Sequence, residues 1–180
     1  MNRVPEVSRD ALTPEGQAVW DSITSTRGGV RGPFGVLIRV PTLAQRVADL
    51  GTYLRFEGLL AGADRELAIL VAARELNSNY EWVGHEQIAR REGVRPEAIE
   101  AVRTKGSLDG LLPRERLVVS VVLALYRERA LSDELFTAAR AELGEDKLVE
   151  LVTLAGNYCM IAFGLLAFEV PLGEGVAEPF

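Results

Sequence analysis

The sequence predicts an all-α protein with a single domain. Apolar residues recur at three- and four-residue spacing through most of the 180 residues, which is the pattern of amphipathic helices. Prolines and capping residues open these segments, and glycines close several of them. Residues 36–40 are apolar, but five residues without a pairing partner do not form a sheet. We therefore expect no β-structure.

The composition is that of an ordinary globular protein, with 48% hydrophobic and 26% charged residues. The net charge is -6 and arginines alternate with glutamates, so nucleic acid is not an expected partner. The single cysteine, Cys159, rules out an internal disulfide and a CxxC redox pair. Residues 1–6 have no apolar leader pattern, and a cytoplasmic location is expected.

One segment, residues 148–170, is apolar and long enough to cross a bilayer, which takes about 20 residues. It contains Glu150, Asn157 and Glu169, which are costly in lipid. A helix that is apolar on all sides is also typical of a helical core. We expect a buried core helix and no membrane partner.

The first 40 residues form a predicted N-terminal extension. Residues 1–12 are expected to be an extended arm, and Thr13 with Pro14 begins a helix as N-cap and first helical residue. Residues 28–35 are rich in glycine and proline, which predicts a loop. The glycine spacing in this loop does not match a phosphate-binding loop, and its role is left open.

Residues 41–172 form the predicted helical domain, and residues 173–180 form a C-terminal tail. Asp64 is the expected N-cap of the second helix of this domain. The predicted helices cover residues 41–61, 65–76, 79–91, 96–103, 113–127, 133–143 and 148–170.

The segment that carries the chemistry is 79–86, which contains the only histidine, His85. Glu81 lies four residues before His85, so both side chains occupy the same face of a helix. A carboxylate in that position can orient the imidazole and stabilise its charged form. This pair predicts a proton-transfer site.

A purely structural interpretation of the same residues is possible. Ser78 and Glu81 have the spacing of a capping box, His85 could be a hydrogen-bonded core residue, and Tyr80 and Trp82 could be core residues. However, Ser78, Glu81 and His85 fall on one stripe of the helix. Glu66, near the start of the preceding helix, could join them. We therefore expect a polar cluster inside an apolar domain, where perturbed pKa values are common.

The run Arg65-Glu66-Leu67-Ala68-Ile69-Leu70, with Ala72-Ala73-Arg74, Tyr80-Glu81-Trp82 and His85, resembles the carboxymuconolactone decarboxylase family. The resemblance covers residues 43–103 and, more loosely, the last helices. It implies the single-domain helical fold shared with alkyl-hydroperoxidase D-like proteins, here with an N-terminal extension.

In the peroxidase branch of that fold the motif is a glutamate, a CxxC pair and a histidine. The matching positions are Glu66, then Ser78 and Glu81 in place of the cysteines, then His85. A thiol peroxidase needs a thiolate and a resolving thiol, and serine and glutamate supply neither. The sequence is closer to a cysteine-free branch with a Tyr-Glu-Trp-x-x-His signature.

The resemblance then implies a cofactor-free lyase that acts on a small carboxylated or lactone-type organic acid. In this hypothesis His85 carries the proton, Glu81 orients the imidazole ring of His85, and Glu66 holds a second proton or a water. Arg74 or Arg39 would bind a substrate carboxylate. The expected substrate-binding residues are Ser78, Tyr80, Trp82 and Arg74.

No metal site is expected, because the chain has one histidine and Glu86 points away from the Glu81–His85 stripe. The resemblance also implies a homo-oligomer, a trimer or hexamer. The alternatives are an alkyl-hydroperoxidase-like antioxidant protein and a non-catalytic binding module. The substrate and pathway are left open.

Overall fold

A computed structural model describes residues 3–180, and the first two residues of the predicted N-terminal arm lie outside that range. Within it the chain is helical and contains no strand, as predicted. A 3-10 turn, Arg9–Ala11, precedes the first helix. The helices are α1 (Pro14–Arg27), α2 (Pro33–Leu37), α3 (Pro41–Thr52), α4 (Gly62–Glu75), α5 (Asn79–Arg91), α6 (Pro96–Thr104), α7 (Pro113–Arg127), α8 (Asp133–Leu143) and α9 (Glu145–Ala167).

Helix α4 is the centre of the main core. It packs against α5, α6, α7 and α9, and all seven residues from Leu67 to Ala73 are buried. A helix that is covered on every side needs apolar residues around its whole circumference, and this segment supplies them. Glu66 lies on the preceding turn and is 1% exposed. Its carboxylate is therefore fixed inside the domain.

A second apolar cluster joins the N-terminal extension to the C-terminal half of α9. Ile23 of α1, Phe34 and the neighbouring Ile38 pack with Ile161 and Leu165 of α9. Because this cluster is continuous across the extension and α9, residues 14–40 form one wall of the site described below.

Two local predictions about the N-terminal half are wrong. Asp64 is not an N-cap, because α4 begins at Gly62; instead it pairs with Arg114 of α7 at 2.7 Å. Within the segment predicted as a loop over 28–35, Pro33 begins the short helix α2. Proline is favoured at the first helical position, since its missing N–H is not needed there.

The helix predicted over residues 41–61 is also divided. Regular α3 ends at Thr52, and Tyr53–Glu57 form a π-helical turn. Beyond the turn, the Glu150 carboxylate accepts hydrogen bonds from the backbone N–H groups of Leu59 and Leu60, at 2.8 and 2.9 Å. These bonds satisfy a buried glutamate and fix the α3–α4 connection.

Helix α9 is long and apolar enough to cross a membrane, the one such helix in the described part of the chain. More than half, 56%, of its most apolar window is buried inside the protein. Glu150 and Asn157 are among its buried residues. This packing is typical of a core helix, in agreement with the sequence-based expectation.

Several large apolar side chains remain exposed. Exposed members of the α3 region include Leu43, Tyr53 and Phe56, and those of α9 include Val149 and Phe163.

Candidate proton-transfer site

Helices α4 and α5 are joined by a tight reversal that brings their polar residues together. Asn77 adopts a left-handed conformation at φ 52°, which asparagine tolerates better than most residues. The backbone N–H of Ser78 donates to the carbonyl of Ala73 at 2.8 Å. The two helices then lie side by side, with Glu66 of α4 facing His85 of α5.

The capping-box interpretation of Ser78 and Glu81 is wrong. Ser78 is the N-cap residue of α5, but its side chain makes no capping hydrogen bond, and its buried Oγ has no partner among the described residues. Glu81 therefore has no capping function, and its carboxyl group lies near the His85 ring instead.

His85 is held at both ring nitrogens and is 7% exposed. Its Nδ1 lies 2.7 Å from Oε2 of Glu66. On the other side, the hydroxyl of Tyr158 on α9 lies 3.2 Å from Nε2. The Tyr158 ring meets the imidazole edge-on, with centroids 5.1 Å apart. Three helices thus fix the ring.

The protonation states of Glu66 and Tyr158 decide which ring nitrogen of His85 carries a proton. Burial opposes ionisation of Glu66, but hydrogen bonds from His85 and Arg65 outweigh it and lower the pKa of the carboxyl. Burial raises the pKa of Tyr158, so its hydroxyl keeps its proton. Because a carboxylate can only accept, Nδ1 of His85 donates to Glu66. In the neutral imidazole, Nε2 then accepts from Tyr158.

Glu81 lies on the Nε2 side of the ring, with Oε2 3.6 Å from Nε2. This is too long for a hydrogen bond. Burial raises the pKa of the Glu81 carboxyl, against the opposing effect of His85 and Arg55. The predicted positioning of His85 by Glu81 is therefore corrected, because Glu66 makes the positioning hydrogen bond. Burial instead shifts the Glu81 carboxyl group towards its protonated form.

A cavity of about 310 Å³ opens beside this group. Both Glu81 and His85 line it, and so do Tyr80 and Gly84. The remaining lining residues come from the N-terminal extension (Arg27, Gly29, Arg31, Pro33, Phe34), from the α3 region (Val47, Gly51, Arg55), and from the α5 and α9 helices (Ile88, Asn157, Tyr158, Ile161). The volume suits a small organic molecule.

Three arginines surround the cavity. The Arg27 guanidinium donates to the carbonyl of Ala48 at 2.9 Å and stacks on the Phe34 ring at 4.6 Å. Arg55 stacks on Phe56 at 4.9 Å. Burial and then repulsion from Arg55 lower the pKa of Arg27.

The predicted site residues divide into two groups. Glu81, His85 and Tyr80 line the cavity, and Glu66 supports His85 from behind. Ser78 is buried outside the cavity lining. The chemical roles assigned to these residues remain predictions.

Trp82 and the two arginines expected to bind substrate lie elsewhere. Trp82 is fully buried and donates from Nε1 to Glu86 at 2.9 Å. Arg74 donates to the carbonyl of Arg103 at 2.6 Å and stacks on a C-terminal phenylalanine, and Arg39 donates to the Pro5 carbonyl. None of the three lines the cavity, so their expected contact with substrate is corrected.

The sequence analysis missed five polar residues of the lining: Arg27, Arg31, Arg55, Asn157 and Tyr158. Asn157 and Tyr158 could have been found from the sequence, because two adjacent polar residues in an apolar, buried helix indicate a polar site inside the protein. The three arginines gave no periodic signal, since they lie in a helix end, a loop and a π-helical turn.

Within residues 3–180, no group of three or more histidine, cysteine or acidic side chains is arranged to hold a metal ion. Cys159 is half-buried on α9 and does not line the cavity. Burial raises the pKa of its thiol, which opposes formation of the reactive thiolate.

Two solved structures of known proteins have the same fold as this chain. The chain superposes on the alkylhydroperoxidase AhpD core of an uncharacterized peroxidase-related protein from Ralstonia eutropha JMP134 with a TM-score of 0.79, at 16% identity, covering 96% of this chain and 93% of the other. An uncharacterized peroxidase-related protein from Silicibacter sp. TM1040 gives a TM-score of 0.76 at 14% identity, with 96% and 92% covered. At these identities the likeness concerns the fold alone.

No curated protein matches the chain significantly. Residues 41–124 match the family model of the carboxymuconolactone decarboxylase family, and this segment contains Glu66, Ser78, Glu81 and His85 of the motif. The predicted all-α, AhpD-like fold is confirmed by the structure and its neighbours. The predicted resemblance to the carboxymuconolactone decarboxylase family is thus confirmed over residues 41–124, just under half of the chain.

Proposed function

We propose that the protein is an acid–base enzyme, a cofactor-free lyase, that acts on a small carboxylated or lactone-type organic acid in the cavity beside His85. One observation carries this proposal. Two proton-carrying groups, the imidazole of His85 and the carboxyl group of Glu81, line the same small cavity, while Glu66 holds the opposite ring nitrogen at 2.7 Å.

The environments of the two carboxyl groups differ in the way that acid–base catalysis requires. Hydrogen bonding lowers the pKa of Glu66 against the effect of burial, and burial raises the pKa of Glu81. Glu66 thus stays ionised and positions the ring, whereas Glu81 can hold a proton and release it. Titratable groups with pKa values shifted in opposite directions are typical of acid–base pairs in enzymes.

Decarboxylation illustrates the step that these groups would catalyse. The bond between carbon and the carboxylate breaks, carbon dioxide leaves, and the electron pair remains on the substrate as an enolate. The enolate carbon then takes a proton from Glu81 or from protonated His85. Proton transfer from a positioned group is typically worth about 10²–10⁴ in rate. Glu81 or His85 regains its proton from water.

Thiol peroxidase chemistry is not supported by this chain. Ser78 and Glu81 occupy the positions of the two thiols, and the only cysteine, Cys159, does not line the cavity. We therefore favour proton transfer to carbon over peroxide reduction.

Incubation with a panel of small keto acids, unsaturated carboxylic acids and lactone acids in D₂O tests the proposal. Proton NMR detects loss of carbon dioxide and incorporation of deuterium at carbon. We expect turnover of at least one panel member by the wild type, its loss in His85→Gln, and wild-type turnover in Arg46→Gln, which changes an exposed residue of α3. Equal turnover by His85→Gln would overturn the assignment. No turnover, with no panel member raising the melting temperature, would favour a protein without this activity.

We also propose that the protein is a homo-oligomer, a trimer or hexamer. The exposed apolar side chains of the α3 region and α9, such as Phe56 (62% exposed) and Phe163 (57%), support this proposal. Tyr53, Leu59 and Val149, which are also exposed, line one surface groove, and such clusters of exposed apolar side chains are typical of subunit contacts. Light scattering coupled to size-exclusion chromatography gives the stoichiometry, and a monomer at micromolar concentration would contradict it.

A further inference from the structure

Three guanidinium groups lie around the cavity without a carboxylate to balance them. Within residues 3–180, Arg27, Arg31 and Arg55 have no carboxylate oxygen within 4.0 Å, whereas nine other arginines in that range do. The chain has more acidic than basic residues, 26 against 20, so carboxylates are not scarce.

The charges that line the cavity do not cancel. Arg27, Arg31 and Arg55 contribute three positive charges, and arginine stays protonated in proteins. Glu81 is the one acidic residue of the lining, and it contributes at most one negative charge. Three minus one leaves a net charge of at least +2, before any protonation of His85. A ligand with two negative charges would neutralise the cavity.

Two of the guanidinium groups are also only partly satisfied by hydrogen bonds within the protein. The Nε atoms of Arg27 and Arg55 are buried and have no hydrogen-bond partner among the described residues. Repulsion from Arg55 contributes to the lowered pKa of Arg27, so the folded chain holds two like charges close together. Burying such groups costs free energy that an anionic ligand would offset.

We propose that Arg27, Arg31 and Arg55 form an anion-binding subsite of the cavity, which selects small molecules with two negative charges. The subsite lies beside the proton-transfer group, since Glu81 and Tyr158 both experience the charge of Arg55. The inference rests on the proposed function for its location. It adds the charge class of the substrate and the residues that recognise it.

Two of the three arginines come from outside the family-matching segment. Arg27 ends α1, and Arg31 lies in the exposed loop that follows, whereas the family match begins at residue 41. Arg27 is fixed by Ala48 and Phe34, so its position is set before a ligand arrives. The N-terminal extension therefore contributes to substrate selection.

Isothermal titration calorimetry with succinate and acetate, at equal ionic strength, tests the subsite. Succinate carries two carboxylates and acetate carries one. We expect wild-type protein to bind succinate at least about tenfold more tightly than acetate. Arg55→Gln and Arg31→Gln should each weaken succinate binding by about tenfold or more, because a hydrogen bond to a charged group contributes about that factor to affinity. Inorganic phosphate is a second probe, which separates a requirement for two carboxylates from a general affinity for dianions.

Arg46→Gln is the matched control, because it removes the same charge from an exposed position on α3 that does not line the cavity. It should bind succinate as the wild type does. Equal affinity for succinate and acetate, or equal weakening by Arg46→Gln and Arg55→Gln, would overturn the proposal. Circular dichroism of each variant confirms folding.

Failure of the subsite and failure of the proposed function are distinguishable. Binding of succinate that depends on Arg55, without turnover of any acid in the panel, would keep the subsite and contradict the enzymatic assignment. Turnover that needs His85 but is unchanged in Arg55→Gln and Arg31→Gln would keep the enzymatic assignment and contradict the subsite.

Discussion

Replacement of Glu66 by glutamine tests the support of His85 in the most direct way. The carboxylate is 1% exposed and accepts from Nδ1 of His85 at 2.7 Å and from Nε of Arg65 at 3.2 Å. Glutamine has the same shape but no charge. A hydrogen bond to a charged group contributes about 1.5–3 kcal/mol, and the amide oxygen can keep one of the two bonds. We therefore expect Glu66→Gln to lower the free energy of unfolding by about 2 kcal/mol at neutral pH.

The assay is urea denaturation, supported by thermal unfolding. For a chain of this length, 2 kcal/mol corresponds to a melting-temperature decrease of about 4–8 °C. Glu92→Gln is the control, because Glu92 contacts the same Arg65, at 3.9 Å, from a side chain that is 42% exposed. Exposed ion pairs contribute about 0–1 kcal/mol, so this variant should remain close to the wild type.

The effect of Glu66 should also depend on pH in a defined direction. The pKa of Glu66 in the folded protein lies below the ordinary value of 4.5. Its stabilisation is therefore complete above the unfolded value and is lost as the pH falls through the lower folded value. The difference between wild type and Glu66→Gln should shrink on acidification. Equal stability of the two proteins at neutral pH, or a difference that grows in acid, would refute this explanation.

Three further variants follow from the same structure. Burial raises the pKa of Glu81 above 4.5, so the wild type should lose stability as the pH rises from the unfolded pKa through the folded pKa of this group. Glu81→Gln should remove that pH dependence in urea denaturation, and an unchanged dependence would contradict the raised pKa. Tyr158→Phe deletes the hydroxyl that donates to His85 and should cost about 0.5–1.5 kcal/mol; an increase in stability would contradict the bond. Gly32→Ala places a Cβ against the Tyr80 ring at φ +58° and should destabilise by about 1–2 kcal/mol, whereas Gly35→Ala, which has open space, should be near neutral in thermal unfolding.

The fold could be predicted because each helix carries its own local signal. Apolar periodicity and start signals such as Pro14, Pro41, Pro96 and Pro113 are properties of short segments, and the structure begins helices at all four. The errors occur where tertiary contacts outweigh local preference. Asp64 prefers an N-cap by propensity, but its ion pair with Arg114 is invisible in the local sequence.

The candidate site was predictable only where its residues are close in sequence. Glu81 and His85 are one turn apart on the same helix, so their proximity follows from helical geometry. Tyr158 contacts His85 from 73 positions away, and Arg27 and Arg55 reach the cavity from separate elements. These placements depend on how α1, the π-helical turn and α9 pack. The distinction between Glu66 and Glu81 likewise needed interatomic distances.

The central claim is that Glu66 and Tyr158 hold His85 with its proton on Nδ1 and with Nε2 as the acceptor of the Tyr158 hydroxyl. Because the chain has a single histidine, ¹⁵N NMR of histidine-labelled protein reports this ring without ambiguity. Our account predicts that the neutral imidazole of the wild type carries its proton on Nδ1, and that Glu66→Gln reduces this preference. A wild-type ring protonated on Nε2, or a tautomer ratio that is the same in both proteins, would contradict it.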